Sequence, residues 1–207
     1  MKRSRHRRRR HRHRFAWLRV PLIKVERSHH QPQNLRHRQR SPNNVINAGV
    51  REQMNIEYLA DHKEVIPTLA QWFYEEWSYL HPDRTLADVK RIMNERAHTN
   101  RIPIALVAFE GQELLGTVCL KVHDMDTRPD LTPWLAGLYV SAPRRRQGIG
   151  AALVSAIEET ALDLGVGKLY LYTPKSECFY SRLGWHVKER AEYHGYPVTL
   201  MQKEIVL

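Results

Sequence analysis

The chain has 207 residues and a net formal charge of +11, and this length suits one domain with an extension. Two cysteines, Cys119 and Cys178, are too few for a disulfide-rich secreted scaffold, and the 12 histidines accompany no Cys-x-x-Cys pair of the kind that binds zinc. We therefore expect a cytoplasmic protein that needs no metal.

The positive charge is concentrated in the first quarter of the chain. Residues 1–53 contain 16 of the 33 basic and 2 of the 22 acidic residues, so they carry a net charge of +14 and leave the remainder at −3. Like charge at this density opposes folding, and we predict that residues 1–53 are a disordered N-terminal extension. The apolar patch at residues 15–25 is too short and too charged to span a membrane or to be a typical signal peptide.

Three roles for this extension remain open. Clustered arginines neutralise nucleic-acid phosphates, and an arginine-rich, acid-poor start is also typical of organelle-targeting segments. The third role is an upstream extension outside the mature product, because Met54 opens a strand-like run directly. The domain would then begin at Met54.

The sequence after Met54 predicts a strand, two helices and a β-hairpin. The apolar residues of the first helix recur on one face: Ile66, Leu69, Ala70, Phe73, Trp77 and Leu80. A second helix is predicted to begin near Thr85. Residues 104–109 and 114–122 read as strands on either side of the turn Glu110-Gly111-Gln112.

A basic glycine motif follows the fourth predicted strand. The segment Arg145-Arg146-Gln147-Gly148-Ile149-Gly150 lies between the apolar run Trp134–Val140 and an amphipathic helical run at 150–164. Glycines let the backbone approach an anion, and the start of a helix presents free amides and a positive dipole end. The spacing is neither that of a kinase-type phosphate loop nor the dinucleotide fingerprint. It predicts a cradle for a diphosphate.

A second motif lies downstream. Residues 168–172 are predicted to form a buried parallel strand, and Thr173-Pro174 to cap and open a short helix through Leu183. That helix leads into Tyr180, followed at the fourth and fifth positions by Gly184 and Trp185.

These two motifs, in this order and about thirty residues apart with a helix and a strand between them, resemble those of the GNAT family of N-acetyltransferases. The resemblance covers the chain from about Asn55 to the C terminus. It implies an α/β (α+β) domain over residues 54–207 with the GNAT acyl-CoA N-acyltransferase fold, a mixed twisted sheet with helices on both faces. The implied activity is direct transfer of an acetyl group from acetyl-CoA to a primary amine.

The resemblance also assigns roles to positions of this sequence. The matching cofactor-binding positions are Leu138, Tyr139, Val140, Arg145, Arg146, Gln147, Gly148, Ile149, Gly150, Ala151 and Thr173. Thr173 stands where many relatives have an asparagine. Tyr180 matches the phenol that protonates the departing thiolate. Gly137 makes a bulge plausible in the fourth strand, where a backbone amide near Leu138 would polarise the thioester carbonyl. The glutamate that many relatives use as a base is absent, because Ala136-Gly137 occupies its place.

The sequence does not identify the general base or the acceptor. Loop residues that could act as a base are His123, Asp124, Asp126, Asp130 and His194. The acidic residues of the domain favour a cationic amine weakly, and Trp134 and Tyr193 are candidates to line its cleft. Small amines, aminoglycoside-like antibiotics and peptide N-terminal amines all fit. The alternative function is a nucleic-acid-associated protein with a basic arm and a catalytically reduced CoA-binding domain.

Overall fold

The computed structural model describes residues 53–206. The extension, for which we predict disorder and a possible nucleic-acid or targeting role, lies outside these residues except for residue 53. The helices are α1 (Ile66–Trp77), α2 (Leu86–Asn94), α3 (Ile149–Asp163) and α4 (Glu177–Ser181). The strands are β1 (Met54–Tyr58), β2 (Ile104–Glu110), β3 (Glu113–Lys121), β4 (Trp134–Val140), β5 (Lys168–Thr173), β6 (His186–Tyr193) and β7 (Tyr196–Glu204).

The strands form one mixed sheet in the order β1-β2-β3-β4-β5-β7-β6. Neighbouring strands are antiparallel except β4 and β5, which are parallel and pair only where Trp134 meets Tyr170. Beyond that point the two strands separate, so β4 from Leu135 to Val140 has no strand partner on its β5 side. The sheet is therefore split at its centre.

Helices cover both faces of the sheet, as the resemblance implied. Successive residues of a strand point to opposite faces, and β2 shows this clearly. Leu106 belongs to the apolar cluster that contains Leu153 of α3, whereas its neighbour Val107 belongs to the cluster that contains Leu69 and Phe73 of α1. Each face thus has its own core. No helix within residues 53–206 has the length and apolar character that a membrane crossing requires.

The start of α2 confirms the boundary predicted near Thr85. The Thr85 Oγ1 accepts a hydrogen bond from the backbone N–H of Asp88 (3.2 Å), and the backbone N–H of Thr85 donates to Asp88 Oδ2 (3.1 Å). This reciprocal capping box satisfies two amides that the first helical turn would otherwise leave free. It also fixes the end of the loop between α1 and α2.

The region around β5 differs from the prediction in two ways. First, β5 is parallel to β4 but antiparallel to β7, and it is buried only at alternate residues, because Tyr170 and Tyr172 face a partly open cluster. Second, Thr173 is not a helix cap: it ends β5, paired with Thr199, and α4 begins at Glu177. The ladder to β7 keeps Thr173 extended. Its Oγ1 accepts the backbone N–H of Ser176 (3.0 Å) and closes the turn before α4.

Candidate active site

A bulge in β4 lies beside the split in the sheet. Thr117 pairs with Tyr139 and Cys119 with Ala136, so Gly137 and Leu138 together oppose the single residue Val118. Gly137 has φ +57°, a left-handed conformation that glycine adopts readily. The bulge that the sequence suggested at Gly137 is therefore confirmed. A bulge bends its strand and turns the backbone groups that follow.

The part of β4 after the bulge borders the split. Trp134 to Ala136 are buried, whereas Leu138, Tyr139 and Val140 are partly exposed. Because β5 has separated from β4 here, the backbone groups on this side of the three residues pair with no strand. Such an edge can bind an extended ligand by strand-like hydrogen bonds.

The basic glycine loop follows β4 and leads into α3. Arg146 and Gly148 both have positive φ, +65° and +85°, which places a non-glycine residue in a sparsely populated region. Gly148 is the N-cap of α3, and no side chain caps the helix. The first N–H groups of a helix have no partner within the helix, and together with its dipole they favour an anion. The loop therefore has the geometry of an anion cradle.

Gly150 leaves room on the first turn of α3. A Cβ at this position would lie 3.5 Å from the Phe179 ring and 3.8 Å from Val140, which is ordinary contact. A larger side chain would extend into the space between β4 and α4. Gly150 thus keeps the split open beside the cradle.

The three arginines before the cradle differ in their partners. Arg144 forms ion pairs with Glu110 and with Glu113 (3.1 Å), so it ties the loop to the turn between β2 and β3. Arg145 donates from Nε to the carbonyl of Val140 (3.0 Å) and lies 3.7 Å from Glu76.

Arg146 has no carboxylate partner among residues 53–206. Gln147 donates a long hydrogen bond to the carbonyl of Pro143 (3.4 Å). The loop is thus held by Arg144, Arg145 and Gln147, and Arg146 is the arginine whose charge is left for a ligand.

Tyr180 lies on α4, against the α3 side of the core. It is 8% exposed and packs against the rings of Phe179 and Trp185, with centroids 5.0 and 6.1 Å away. Its hydroxyl makes no hydrogen bond with any residue the structure describes. Burial raises the pKa of the Tyr180 phenol, so it is protonated at neutral pH. A protonated phenol is a competent proton donor.

A cavity of about 800 Å³ lies at the amino end of β4, away from the glycine loop. Its walls come from the loop between α1 and α2, the end of α2, the loop after β3 and the turn between β6 and β7. Five of the predicted acceptor-site residues line it: His123, Asp124, Asp126, Tyr193 and His194.

Two predicted acceptor-site residues lie elsewhere. Asp130 is exposed and paired with Arg128 (2.9 Å). Trp134 is fully buried, with its indole N–H donating to the carbonyl of Leu131 (2.7 Å). Trp134 is therefore a packing residue, as aromatic residues at strand ends often are, and does not line an acceptor cleft, because β4 points this ring into the core.

The cavity also contains residues that sequence reasoning missed. Burial and, secondarily, the charges of Arg84 and His194 lower the pKa of His81 to about 4, so its imidazole is neutral at pH 7. The ring of His81 lies 5.4 Å from that of His194. This contact joins the α1–α2 loop to the β6–β7 turn. No motif marks His81, because only the packing of two distant loops gives it this position.

Tyrosines complete this side of the site. Tyr172 and Tyr193 have ring centroids 5.2 Å apart. Burial and, secondarily, the carboxylate of Asp126 raise the pKa of Tyr193 to about 12. Burial likewise raises the pKa of Tyr172. Both phenols are therefore neutral hydrogen-bonding groups at physiological pH.

A sheet split between two parallel strands, with a glycine loop and a helix start at the carboxyl end of one of them, defines an α/β protein with a candidate anion site at the split. The model of the acetyltransferase (GNAT) family matches residues 66–185. The chain belongs to this family and is an acyltransferase.

Solved structures of the same fold agree with this assignment. An aminoglycoside 6'-acetyltransferase type Ii has a TM-score of 0.58 and 23% identity, covering 74% of this chain and 98% of that chain. An aminoglycoside 6'-N-acetyltransferase complexed with coenzyme A has a TM-score of 0.59 and 19% identity, with the same coverage, 74% and 98%. The structure of yncA from Salmonella typhimurium with its cofactor acetyl-CoA has a TM-score of 0.58 and 16% identity, covering 75% and 95%. No curated protein matches the chain in sequence.

Proposed function

We propose that this protein transfers the acetyl group of acetyl-CoA directly to a primary amine. Membership of the acetyltransferase family supports the reaction, and two proteins of the same fold were solved with coenzyme A or acetyl-CoA. The observation that carries the proposal is the uncapped start of α3 at Gly148, placed beside the open edge of β4.

The binding residues divide into three groups. The free edge of Leu138, Tyr139 and Val140 pairs with the amide groups of the pantetheine arm. The backbone amides of the loop from Gly148 to Ala151 receive the diphosphate, and Arg146 adds a positive charge. Arg145 and Gln147 hold the loop through their bonds to Val140 and Pro143.

Thr173 contributes a hydroxyl at the other side of the split. Its oxygen already accepts a hydrogen bond from Ser176, but its proton remains available to a ligand. This contact is weaker than one from an asparagine amide, which offers two donors and an acceptor.

Bound acetyl-CoA supplies an acetyl group already activated as a thioester. The backbone N–H at the bulge, near Leu138, polarises the carbonyl oxygen while the amine nitrogen forms the new C–N bond. Tyr180 donates its phenolic proton to sulfur as the C–S bond breaks. The acceptor loses its ammonium proton before it attacks, and its nitrogen loses a second proton as the C–N bond forms. The second proton restores Tyr180 through solvent, so atoms and charge balance.

The acceptor amine enters from the cavity at the amino end of β4. The polar groups there receive the proton that the amine loses, directly or through water. Asp124 is held in an ion pair with Lys121, whereas His81 is a neutral imidazole. We assign amine deprotonation to this cavity rather than to the solvent-exposed Asp130.

Two measurements test the proposal on the full chain. Calorimetric titration should show acetyl-CoA binding that Gly148→Val weakens strongly, because a β-branched residue opposes φ +85°. A free-thiol release assay over a panel of primary amines should show turnover that depends on the amine. Absence of both acetyl-CoA binding and amine-dependent thiol release would overturn the proposal.

A further inference from the structure

The end of α2 places an arginine inside the cavity with no counterion. Arg96 is 8% exposed, and it forms no ion pair with any carboxylate in residues 53–206. Its Nη1 donates to Cys119 Sγ (3.2 Å) and more distantly to Met93 Sδ (3.9 Å), and its guanidinium lies 5.5 Å from the centre of the Phe73 ring. Sulfur and an aromatic face compensate a buried cation poorly compared with a carboxylate.

The rest of this guanidinium is open to the cavity. Among the described residues, the one buried side-chain nitrogen or oxygen without a partner is Nε of Arg144. Nε and Nη2 of Arg96 make no hydrogen bond in the structure, so they are not sealed in the core and remain accessible from the cavity that Arg96 lines. The two oxygens of a carboxylate can accept hydrogen bonds from two such N–H groups on one guanidinium at the same time.

A second unpaired arginine stands at the rim. Arg84 is exposed, lines the same cavity and forms no ion pair with a described residue. Arg84 and Arg96 line one cavity, so both guanidiniums can contact the same ligand. Two like charges brought together at a cavity wall favour an anion between them.

The other charged groups of the cavity do not offset these two. Arg91 is paired with Glu95 (2.7 Å), and Lys121 is paired with Asp124. Arg101 donates to the ring of His98 (2.8 Å). Asp126 is the remaining carboxylate of the wall, and its neighbour is Tyr193.

Arg96 lies close to the β4 bulge. Cys119 accepts the hydrogen bond from Arg96, and its Sγ lies 3.6 Å from the position of a Cβ on Gly137. The ring of Phe73, beneath the Arg96 guanidinium, also contacts that position. An anion on Arg96 would therefore lie on the same side of the sheet as this contact, near an amine that reacts at the β4 bulge.

From this placement, and on the basis of the function proposed above, we infer that the acceptor is a small amine that carries its own oxyanion, a carboxylate or a phosphate, held by Arg84 and Arg96. The amine and the anion lie near one another in the same molecule, as in an amino acid. This class of acceptor differs from the cationic amine that the acidic composition of the domain favoured, because Asp124, Asp130 and Glu76 are engaged with Lys121, Arg128 and Arg145.

The test compares matched acceptors in the thiol-release assay with the full chain. L-amino acids are paired with their amides, and 2-aminoethyl phosphate with ethanolamine, so that each pair differs in the anion. We expect the anionic member to have the higher kcat/KM, and the better of the two anionic series identifies carboxylate or phosphate. Equal or better turnover of the neutral members, or a preference for the polyamine spermidine, would overturn the inference and leave the proposed acetyl transfer intact.

Substitution of single arginines tests which side chain binds the anion of the acceptor. Arg84→Gln should raise KM for the anionic acceptor roughly 10- to 100-fold, the loss expected for a charge-assisted hydrogen bond, and should leave KM for the neutral partner unchanged. Arg91→Gln is the matched control, since Arg91 lines the same cavity but is paired with Glu95. If Arg84→Gln changes both acceptors equally, or no more than Arg91→Gln does, the inference is wrong.

Arg96 supplies a second, independent readout. Arg96→Met removes the charge but keeps an apolar chain beside Phe73, and Arg96→Lys keeps the charge but loses the planar fork. We expect both to remain folded, to bind acetyl-CoA as the wild type does and to lose the preference for the anionic acceptor, with Arg96→Met losing more. Retention of that preference by folded Arg96→Met would contradict the inference. If the wild-type protein releases no thiol with any amine and does not bind acetyl-CoA, the proposed function itself is refuted.

Discussion

The ring of Phe73 occupies the space that a side chain at Gly137 would need. A Cβ at Gly137 would lie 2.7 Å from two carbons of that ring, closer than real Cβ contacts allow. Phe73 belongs to α1 and Gly137 to the bulge of β4. The contact therefore connects the helix pair over the sheet to the backbone that we place next to the reacting carbonyl.

Gly137→Ala should destabilise the protein and impair its activity. The substitution adds a clash with Phe73 to a left-handed backbone, and strain of this kind costs about 1–3 kcal/mol before the clash is counted. Thermal unfolding should show a lower Tm, and thiol release should fall. Gly167→Ala is the control, because no atom lies within 4 Å of its added Cβ. Equal stability of the two variants would show that the bulge tolerates a side chain.

Arg146→Gln should weaken acetyl-CoA binding without lowering stability. Arg146 has no carboxylate partner in the described part of the chain, so its charge is available to the diphosphate. We expect a loss of about tenfold at low salt, which calorimetry should find reduced at high salt, because salt screens exposed charges.

Arg144→Gln provides the contrast on the same loop. This change removes the partner of Glu110 and Glu113, so it should lower the Tm while the intact cradle still binds acetyl-CoA. An affinity loss in Arg144→Gln as large as that in Arg146→Gln would contradict the division of roles between the two arginines.

Tyr180→Phe should lower kcat and leave the fold intact. The hydroxyl makes no hydrogen bond with a described residue, so its loss costs little stability, whereas general acid catalysis contributes about 10²–10⁴-fold to rate. Stopped thiol-release assays at saturating acetyl-CoA measure the change in kcat. Full turnover in Tyr180→Phe would remove this phenol from the mechanism while the fold stays assigned.

His81 and His62 should make opposite contributions to the pH dependence of stability. The pKa of His81 is lowered to about 4, chiefly by burial, so between pH 4 and the ordinary histidine value of 6.5 the unfolded chain binds more protons. Its contribution is complete above pH 6.5 and is lost as the pH falls toward 4. In His81→Gln, urea unfolding should show a shallower loss of stability over this range.

The contribution of His62 to stability has the opposite pH dependence. The hydrogen bond that His62 Nε2 donates to the Glu57 carboxylate (2.5 Å) raises the pKa of His62 above 6.5. Its contribution is complete below pH 6.5 and is lost as the pH rises through the folded-state pKa. His62→Gln should therefore destabilise the protein more at pH 6 than at pH 8. Identical pH profiles for the two variants would contradict both assignments.

The local parts of the site could be predicted from the sequence. The glycine loop, the start of α3 after it and the start of α2 at Thr85 each depend on residues within a few positions of one another. Short-range rules for glycine and for helix caps apply to such segments without knowledge of the rest of the chain. Even so, the cap expected at Thr173 was wrong, because pairing with Thr199 on β7 outweighs a local preference.

The acceptor side could not be predicted in the same way. Arg96 follows α2, Cys119 is on β3 and Gly137 is on β4, and only the packing of α1 and α2 on the sheet brings them together. No spacing in the sequence distinguishes Arg96 from the arginines that turn out to be paired.

The sequence by itself determined the family, the order of the elements and the glycine loop that we propose binds a diphosphate, because glycines and helix starts act locally. The tertiary structure decided which charges are available. Among the three consecutive arginines it paired Arg144 with Glu110 and Glu113, residues more than thirty positions away, and gave Arg146 no carboxylate partner within residues 53–206. Charge pairing depends on distance in space, and folding alone sets that distance.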